Sequence, residues 1–321
     1  MNALVILDGA SEPVRDGVPT SLERAKTPAL DALAREGRIT RIRTTPHGLA
    51  PGSEVGIPVL LGWTPTAAVA RGPIEAAARD IDVPAGERAW RVDVFSGSVR
   101  ADAATTQRAA AALSHAAPRH AVHVLTGHRL LVVGPPPLPA PARRKPLVAW
   151  PEGTLPPRRL NATTVVIAAA GAAAGVARSM GARVVIPDGA TGGPDSDLAA
   201  KTASALESIT AGARRVIVHV GGPDEAAHAR DPALKVAVLE RADHEVIAPL
   251  SEAVTAARGT LQVCPDHGCD PVTGEHDATP VPCLTWSAAT GSFAAHEAFA
   301  AARLTERHAA SQEFLAGALV S

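Results

Sequence analysis

From residue 183 onward the sequence alternates short apolar runs with longer stretches of helical spacing: a strand at 183–186, a helix at 198–209, a strand at 215–220, a helix at 233–257 and a strand at 260–264. Strands joined through helices of that length run parallel, since only antiparallel neighbours can be linked by a tight hairpin. A parallel sheet is covered by helices on both faces. The pattern therefore predicts an α/β fold with a mainly parallel sheet flanked by helices, and a further helix at 163–180 opens this half of it.

The N-terminal segment has the same grammar. A strand at 3–7 ends in Asp8-Gly9, helical spacing follows at Leu22, Ala25, Leu30 and Leu33, and Thr27-Pro28 is a helix-start signal within that stretch of 22–36. A strand at 39–44, a Pro- and Gly-rich loop at 45–52 and an apolar stretch at 55–61 come next, with Ser53 where the loop turns into a helix. Aromatic residues make up 2% of the chain and Tyr is absent, so the core must be built from Val, Leu, Ile and closely packed Ala.

From about residue 67 to 159 the character changes. Pro and Arg become frequent around a strand near Trp90, a helix at 106–116 and an apolar run at 130–133. The proline-dense stretch 135–146 is expected to be a loop or polyproline edge, because Pro at that density disfavours both helix and ladder. The expected organisation is a core formed by residues 1–75 and 160–321, interrupted by a small domain at 76–159.

Composition excludes several function classes. Lys and Arg (31) nearly cancel Asp and Glu (32), leaving a net charge of −1, so there is no global field to hold nucleic acid or an anionic membrane. The most apolar stretch, 163–177, is mostly Ala and Gly and falls short of the roughly 20 apolar residues of a membrane span. The three cysteines, Cys264, Cys269 and Cys283, are too few for a disulfide framework. The N-terminus lacks a basic leader region and reads as a first strand. A soluble cytoplasmic protein is the expectation.

In an open α/β sheet the ligand site lies beyond the carboxyl ends of the strands. Asp8 follows the first strand, Asp224 and His228 follow the strand at 215–220, Asp266-His267 follows the strand at 260–264, and His276 comes nine residues later. Asp224 and His228, four apart, share one face of a helical turn. Mixed carboxylate and imidazole ligation suits Mn²⁺ or Zn²⁺ better than Ca²⁺, and these six residues are enough for two ions. Two ions about 3.5–4 Å apart can clamp the attacking and leaving oxygens of a phosphoryl displacement. Ser53, at a helix start that favours anions, is the candidate nucleophile. Each residue alone has a blander reading as a turn, a cap or a solvated His; their occurrence at successive strand ends favours the metal site.

The segments VILDG, LERAKTPALDALAREG, PGSEVG, PDEAAH, PDHG and EHDATPVP, with TGHR at 126–129 and GATG at 189–192, resemble the cofactor-independent phosphoglycerate mutases, archaeal-type branch, of the alkaline phosphatase superfamily. The likeness covers most of 1–66 and 160–286. It implies an alkaline-phosphatase-like core with a cap domain, and two divalent ions, Mn or Zn with Mg also possible. One ion would be held by Asp224, His228 and His276, the other by Asp8, Asp266, His267 and Ser53, with Ser53 accepting the phosphoryl group of a small phosphorylated acid. Arg91, His128 and Arg129 are the substrate-binding candidates, with Arg71 weaker.

The chain departs from the family pattern mainly in the cap. The basic segment after the cap strand is reduced to FSGSVRAD with Arg100, Trp150-Pro151-Glu152-Gly153 lacks the expected arginine, and Ile57 stands where relatives carry His or Asn. A phosphomonoesterase using the same metals and serine, or a non-catalytic metal-binding relative, are therefore the alternatives. Cys264 and Cys269 are expected to be strand-end packing rather than a thiolate site, and the Lys and Arg residues along 234–241 a solvated helix face. His47, His115, His120, His123, His219, His244, His296 and His308 are expected to have structural roles.

Overall fold

The computed structural model describes residues 1–288, so His296 and His308 lie outside the described residues. The chain opens with β1 (Asn2–Leu7), the short helix α1 (Ser21–Arg24), α2 (Pro28–Glu36), β2 (Arg38–Ile42), α3 (Ser53–Leu60) and α4 (Arg71–Ala78). A second group comes next: β3 (Arg88–Ser96), β4 (Val99–Arg100), α5 (Ala103–Ala116), β5 (Ala121–Val124), β6 (Arg129–Gly134) and β7 (Leu147–Ala149). The remainder comprises β8 (Thr164–Ile167), α6 (Ala172–Met180), β9 (Arg183–Val185), α7 (Leu198–Thr210), β10 (Arg215–Val220), α8 (Gly222–His228), α9 (Pro232–Ala242), α10 (Ala248–Ala256), β11 (Thr260–Cys264), β12 (Gly268–Cys269), β13 (His276–Asp277) and β14 (Val281–Ser287). No helix among the described residues is long and apolar enough to cross a membrane.

The main sheet has seven strands in the order β2-β14-β11-β1-β10-β8-β9. The run β11-β1-β10-β8-β9 is parallel and β14 is antiparallel to both of its neighbours, so the predicted mainly parallel α/β sheet is what forms. Side chains alternate across it as the pleat requires. Ala3, Val5 and Leu7 of β1 join Val216, Val218 and Val220 of β10 on one face, beneath Leu30, Leu198, Leu239 and Leu250. Leu4, Ile6 and Ile217 point the other way, against Val55, Ile57, Ile74, Val176 and Met180. Each such fully buried aliphatic side chain contributes roughly 1.5–3 kcal/mol.

The smaller sheet runs in the order β4-β3-β6-β5, with β7 paired to the other edge of β3. Its strands are antiparallel. One face buries Val92, Val94, Leu130 and Val132 against Ala110 and Leu113 of α5; the other sets Ala89, Leu131 and Val133 against Ala76 of α4. Helix α4 also packs on α6, and the approach is close: a Cβ at Gly175 would meet the Ile74 carbonyl oxygen at 2.0 Å, and one at Gly72 would meet that of Ala89 at 2.1 Å.

Four sequence expectations need correction. The helix predicted at 163–180 is β8 followed by α6: Thr164–Ile167 is a short β-branched run, which periodicity alone does not distinguish from helix, and the Gly171 N-cap starts the helix proper. The stretch 22–36 is two helices, because Pro28 disfavours helical backbone at Thr27 and α1 ends before it. The proline-dense segment is not a free edge: it holds a 3₁₀ turn at Ala140–Arg143, and Leu138 and Ala142 are buried beneath the small sheet. The helix face at 234–241 is not wholly solvated, since Lys235 is completely buried.

One close approach seats α3 on the main sheet. Gly56, within α3, lies so near the chain after β11 that an added Cβ would stand 2.1 Å from the backbone oxygen of Asp266. Gly56→Ala is expected to cost at least about 1–3 kcal/mol through overpacking against unyielding backbone, lowering the thermal midpoint by several degrees. A melt followed by circular dichroism checks this; an unchanged midpoint would mean that α3 is not seated against that strand.

Candidate metal centre

Three adjacent strands, β11, β1 and β10, end side by side, with Leu7 in register with Val220 and Ile6 with Cys264. The residues just beyond them therefore converge. Asp8 and Asp266 lie on turns directly after β1 and β11, and Asp224 and His228 lie one turn apart on α8. Gly9 takes φ +59°, and its missing side chain leaves room for Asp224 Oδ1, which would be 2.5 Å from a Cβ there. The β12–β13 ribbon brings His276 back over the same place.

Ser53 is the first residue of α3. Its Oγ lies 3.3 Å from Asp8 Oδ1, 3.4 Å from Asp8 Oδ2 and 3.4 Å from His267 Nε2. His267 Nε2 is also 3.2 Å from Asp8 Oδ1. On the other side, Asp224 Oδ2 is 3.2 Å from His228 Nε2, Asp224 Oδ1 is 3.3 Å from His276 Nε2, and the two Nε2 atoms are 3.0 Å apart. All seven residues expected to form the metal site are thus together; Asp8, Asp224, Asp266 and His267 are buried, and Ser53, His228 and His276 are half-buried.

The tautomers are set by the backbone. Nδ1 of His228 faces the Gly274 carbonyl at 2.8 Å, that of His267 faces Gly268 at 3.1 Å, and that of His276 faces Pro51 at 3.0 Å. A carbonyl only accepts, so each Nδ1 carries a hydrogen and each Nε2, once free of its own proton, turns a lone pair inward, the arrangement by which outer partners orient metal-ligating histidines. Asp224 Oδ1 and Asp266 Oδ2 are buried without a hydrogen-bond partner. Inward-facing imidazole lone pairs and orphaned carboxylate oxygens fit divalent cations and would be costly without them.

Electrostatics agree. Burial pushes the Asp266 carboxyl up, helped by the charge of Asp8, to about 7. Burial and Asp224 also push Asp8 up, but the imidazoles of His219 and His267 outweigh both and leave it below the usual carboxylate range. Burial would depress His267, yet Asp266, Asp8 and Asp224 hold it well above an ordinary histidine. Burial likewise opposes the charged form of His228, and Asp224 overcomes it.

Two residues assigned elsewhere by the sequence belong here. His219 was expected to be structural, but its Nε2 is 3.2 Å from Asp8 Oδ2, and with Asp8 and Asp266 it forms a group able to hold a cation. The available signal was a lone polar residue one position before the end of an otherwise apolar strand. Cys269, expected to be packing, stands in a second such group with Asp224, His228 and His276. Two fully buried lysines back the cluster: Lys201 Nζ donates to the His219 carbonyl and Lys235 Nζ to that of Cys269.

The substrate-binding candidates divide. Arg91 is buried and committed: it pairs with Glu75 at 3.2 Å and with Asp93 at 2.9 Å, and lies over the Trp150 ring at 4.4 Å. His128 is buried 3.5 Å from Asp93. Arg71 bridges Glu54, the residue after Ser53, and Glu75. The contacts of Glu54, Arg71, Glu75, Arg91 and Asp93 form one ionic chain from α3 into the small sheet, in which Arg91 is paired on two sides. Arg129 instead reaches across to Glu225, the neighbour of Asp224, and is partly exposed.

A model of the Metalloenzyme superfamily matches residues 2–310. Among curated relatives, the 2,3-bisphosphoglycerate-independent phosphoglycerate mutase of Methanopyrus kandleri is 27% identical over 369 residues, spanning 89% of this chain and 87% of the relative. A probable mutase of the same kind from Geobacter sulfurreducens is 27% identical, spanning 90% and 92%. A solved Pyrococcus horikoshii protein superposes with a TM-score of 0.73 at 22% identity, over 89% of this chain and 87% of that one. The cofactor-independent phosphoglycerate mutase of Thermoplasma acidophilum does so with 0.52 at 17% identity, over 91% and 95%. At these identities the structural likeness is one of fold.

Without cations the cluster must hold protons. Asp266 titrates higher folded than unfolded, so the metal-free fold binds the extra proton between about pH 4 and 7 and its stability falls as pH rises through that window. The raised His267 acts in the same direction, its contribution being lost as pH climbs past its folded value. Chelated protein is therefore expected to melt lower at pH 8 than at pH 6. Mn²⁺ or Zn²⁺ at a hundred times its Kd should restore about 2.7 kcal/mol, with proton release. Scanning calorimetry, and titrations in buffers of different ionisation enthalpy, measure both; a midpoint indifferent to ions and chelator would refute the centre.

Proposed function

The chain belongs to the Metalloenzyme superfamily, and on that premise we propose that it is a two-metal phosphoryl-transfer enzyme acting through a phosphoserine at Ser53. Its simplest substrates are 2- and 3-phosphoglycerate, interconverted by mutase action, or a related small phosphorylated or phosphonate acid. The observation that carries this reading is the place of the Ser53 hydroxyl, at the start of α3 and within 3.4 Å of both Asp8 and His267. A serine held there is poised as a nucleophile.

Ions held by Asp224, His228 and His276 on one side, and by Asp8, Asp266, His267 and Ser53 on the other, would supply Lewis-acid stabilisation of phosphoryl charge and a lowered pKa for the serine hydroxyl. The residues themselves do the rest. Ser53 Oγ forms a bond to phosphorus as the bond from phosphorus to the substrate oxygen breaks. The serine proton leaves toward the side lined by Asp8 and His267, and the departing oxygen takes up a proton from solvent, so that one proton is released and one consumed. The first-turn N–H groups of α3 favour the phosphoryl oxygens. Transfer back to the neighbouring hydroxyl completes a mutase cycle, whereas transfer to water completes a phosphatase cycle.

Residues 76–159 are, in this reading, the cap over that site. The relatives named mutases favour the first outcome. One observation favours the second: Arg91 is neutralised by Glu75 and Asp93, and Arg129 is paired with Glu225. Fewer free cations to grip a carboxylate during reorientation favour release over return.

³¹P NMR of Mn²⁺-loaded protein with 3-phosphoglycerate distinguishes these readings in one spectrum. Appearance of the 2-isomer establishes the mutase, and free phosphate the phosphatase. In either case Ser53→Ala should lower the rate by roughly 10³-fold or more. Turnover that survives Ser53→Ala would overturn the phosphoserine route.

A further inference from the structure

The most informative group outside the expected ligand set is the thiol of Cys269. We propose that Cys269 is a thiolate ligand to the ion held by Asp224, His228 and His276, and that it makes this site selective for Zn²⁺ or Co²⁺ over Mn²⁺. The proposal rests on the metal-centre reading and adds a donor to it.

The geometry supports it from several directions. In the β12–β13 ribbon Cys269 pairs directly with His276, so the two side chains rise on the same face. The ligand atoms of Asp224, His228, Cys269 and His276 all lie within 4.8 Å of one another. The backbone around the thiol is fixed: its N–H donates to the Ser11 carbonyl at 2.8 Å, and its carbonyl accepts from the buried Lys235 Nζ at 2.7 Å. Lys235 is itself held by Glu12 at 2.9 Å.

A second, independent sign of a cation comes from Asp224, which is 8% exposed and whose Oδ1 lacks a hydrogen-bond partner in this same space. Cys264 and Cys283 differ. Both lie in the apolar layer between the main sheet and α3, α4 and α6, and neither belongs to a group of potential ligands among the described residues.

Coordination forms a metal–sulfur bond, breaks the S–H bond and releases its proton to solvent. A thiolate is a soft donor, and in a set otherwise made of imidazole and carboxylate it shifts the preference toward zinc-like ions. The other two groups, Asp8 with His219 and Asp266 and Asp8 with Asp224 and His267, have only oxygen and nitrogen donors. The two halves of the centre would thus differ in the metals they prefer.

Chelated full-length protein titrated with Co²⁺ tests this without relying on turnover. Wild type is expected to develop a thiolate-to-cobalt charge-transfer band in the near ultraviolet. Cys269→Ser should lose that band while keeping the weaker ligand-field bands of cobalt bound to the remaining residues. The zinc-over-manganese preference, from competition, should fall by roughly tenfold or more in the variant. Should Cys269→Ser fail to fold, zinc X-ray absorption of the wild type reads the same bond, with a sulfur neighbour expected at about 2.3 Å. Cobalt bound without the band, a band that survives Cys269→Ser, or only nitrogen and oxygen around zinc overturns the proposal. Failure of wild type to bind Co²⁺ or Zn²⁺ at all would instead sink the metal-centre reading on which it stands.

Discussion

Three aspartates, Asp8, Asp224 and Asp266, are brought together at the ends of three adjacent parallel strands, each at most 8% exposed. Carboxylates at that spacing cannot all remain charged in a medium of low polarity without compensation. Everything around them answers that constraint. The imidazoles of His219, His228, His267 and His276 crowd in at 3.2–3.3 Å, and two lysines with no exposed surface stand behind the cluster. The fold tolerates the arrangement because the two apolar layers of the sheet stabilise it elsewhere, and because divalent ions can relieve the repulsion that protons only partly offset.

A second set of buried charges runs away from the centre. Glu54, Arg71, Glu75, Arg91 and Asp93 form a continuous ionic chain from the helix that carries Ser53 to the small sheet. Pairs of this kind contribute little net stability compared with apolar packing, but removing one member strands its partner at a cost of about 3–5 kcal/mol. Their value here is positional. The chain fixes the start of α3 relative to β3, and with it the distance between the serine and the groups above it.

Much of this was legible in the sequence. Strands β10 and β11 form over the residues that apolar runs indicated, and the candidate ligands cluster at their ends, where α/β sheets place their sites. What escaped depended on neighbours distant in the chain. His219 sits inside an apolar strand, and only the sheet order places it beside Asp8. Cys269 resembles packing until the β12–β13 register sets it opposite His276. Lys235 carries no local signal of burial, because charged helix residues are ordinarily solvated. The pairing of Arg91 was not legible either, because one of its partners, Glu75, comes from α4. The strand Thr164–Ile167 was hidden by the alanine-rich helix after it, whose composition outweighs four β-branched residues in any window that spans both.

Helix α4 is clamped between the small sheet and α6, which itself packs on the main sheet, through contacts that leave no space for a methyl group, at Gly72 on one side and opposite Gly175 on the other. A wedge shared so tightly removes the slack that would let one layer loosen while the other stays intact. The small sheet, although it has its own apolar core, therefore cannot melt as an autonomous module: exchange of its β3 and β6 amides with solvent would report the opening of the main sheet as well.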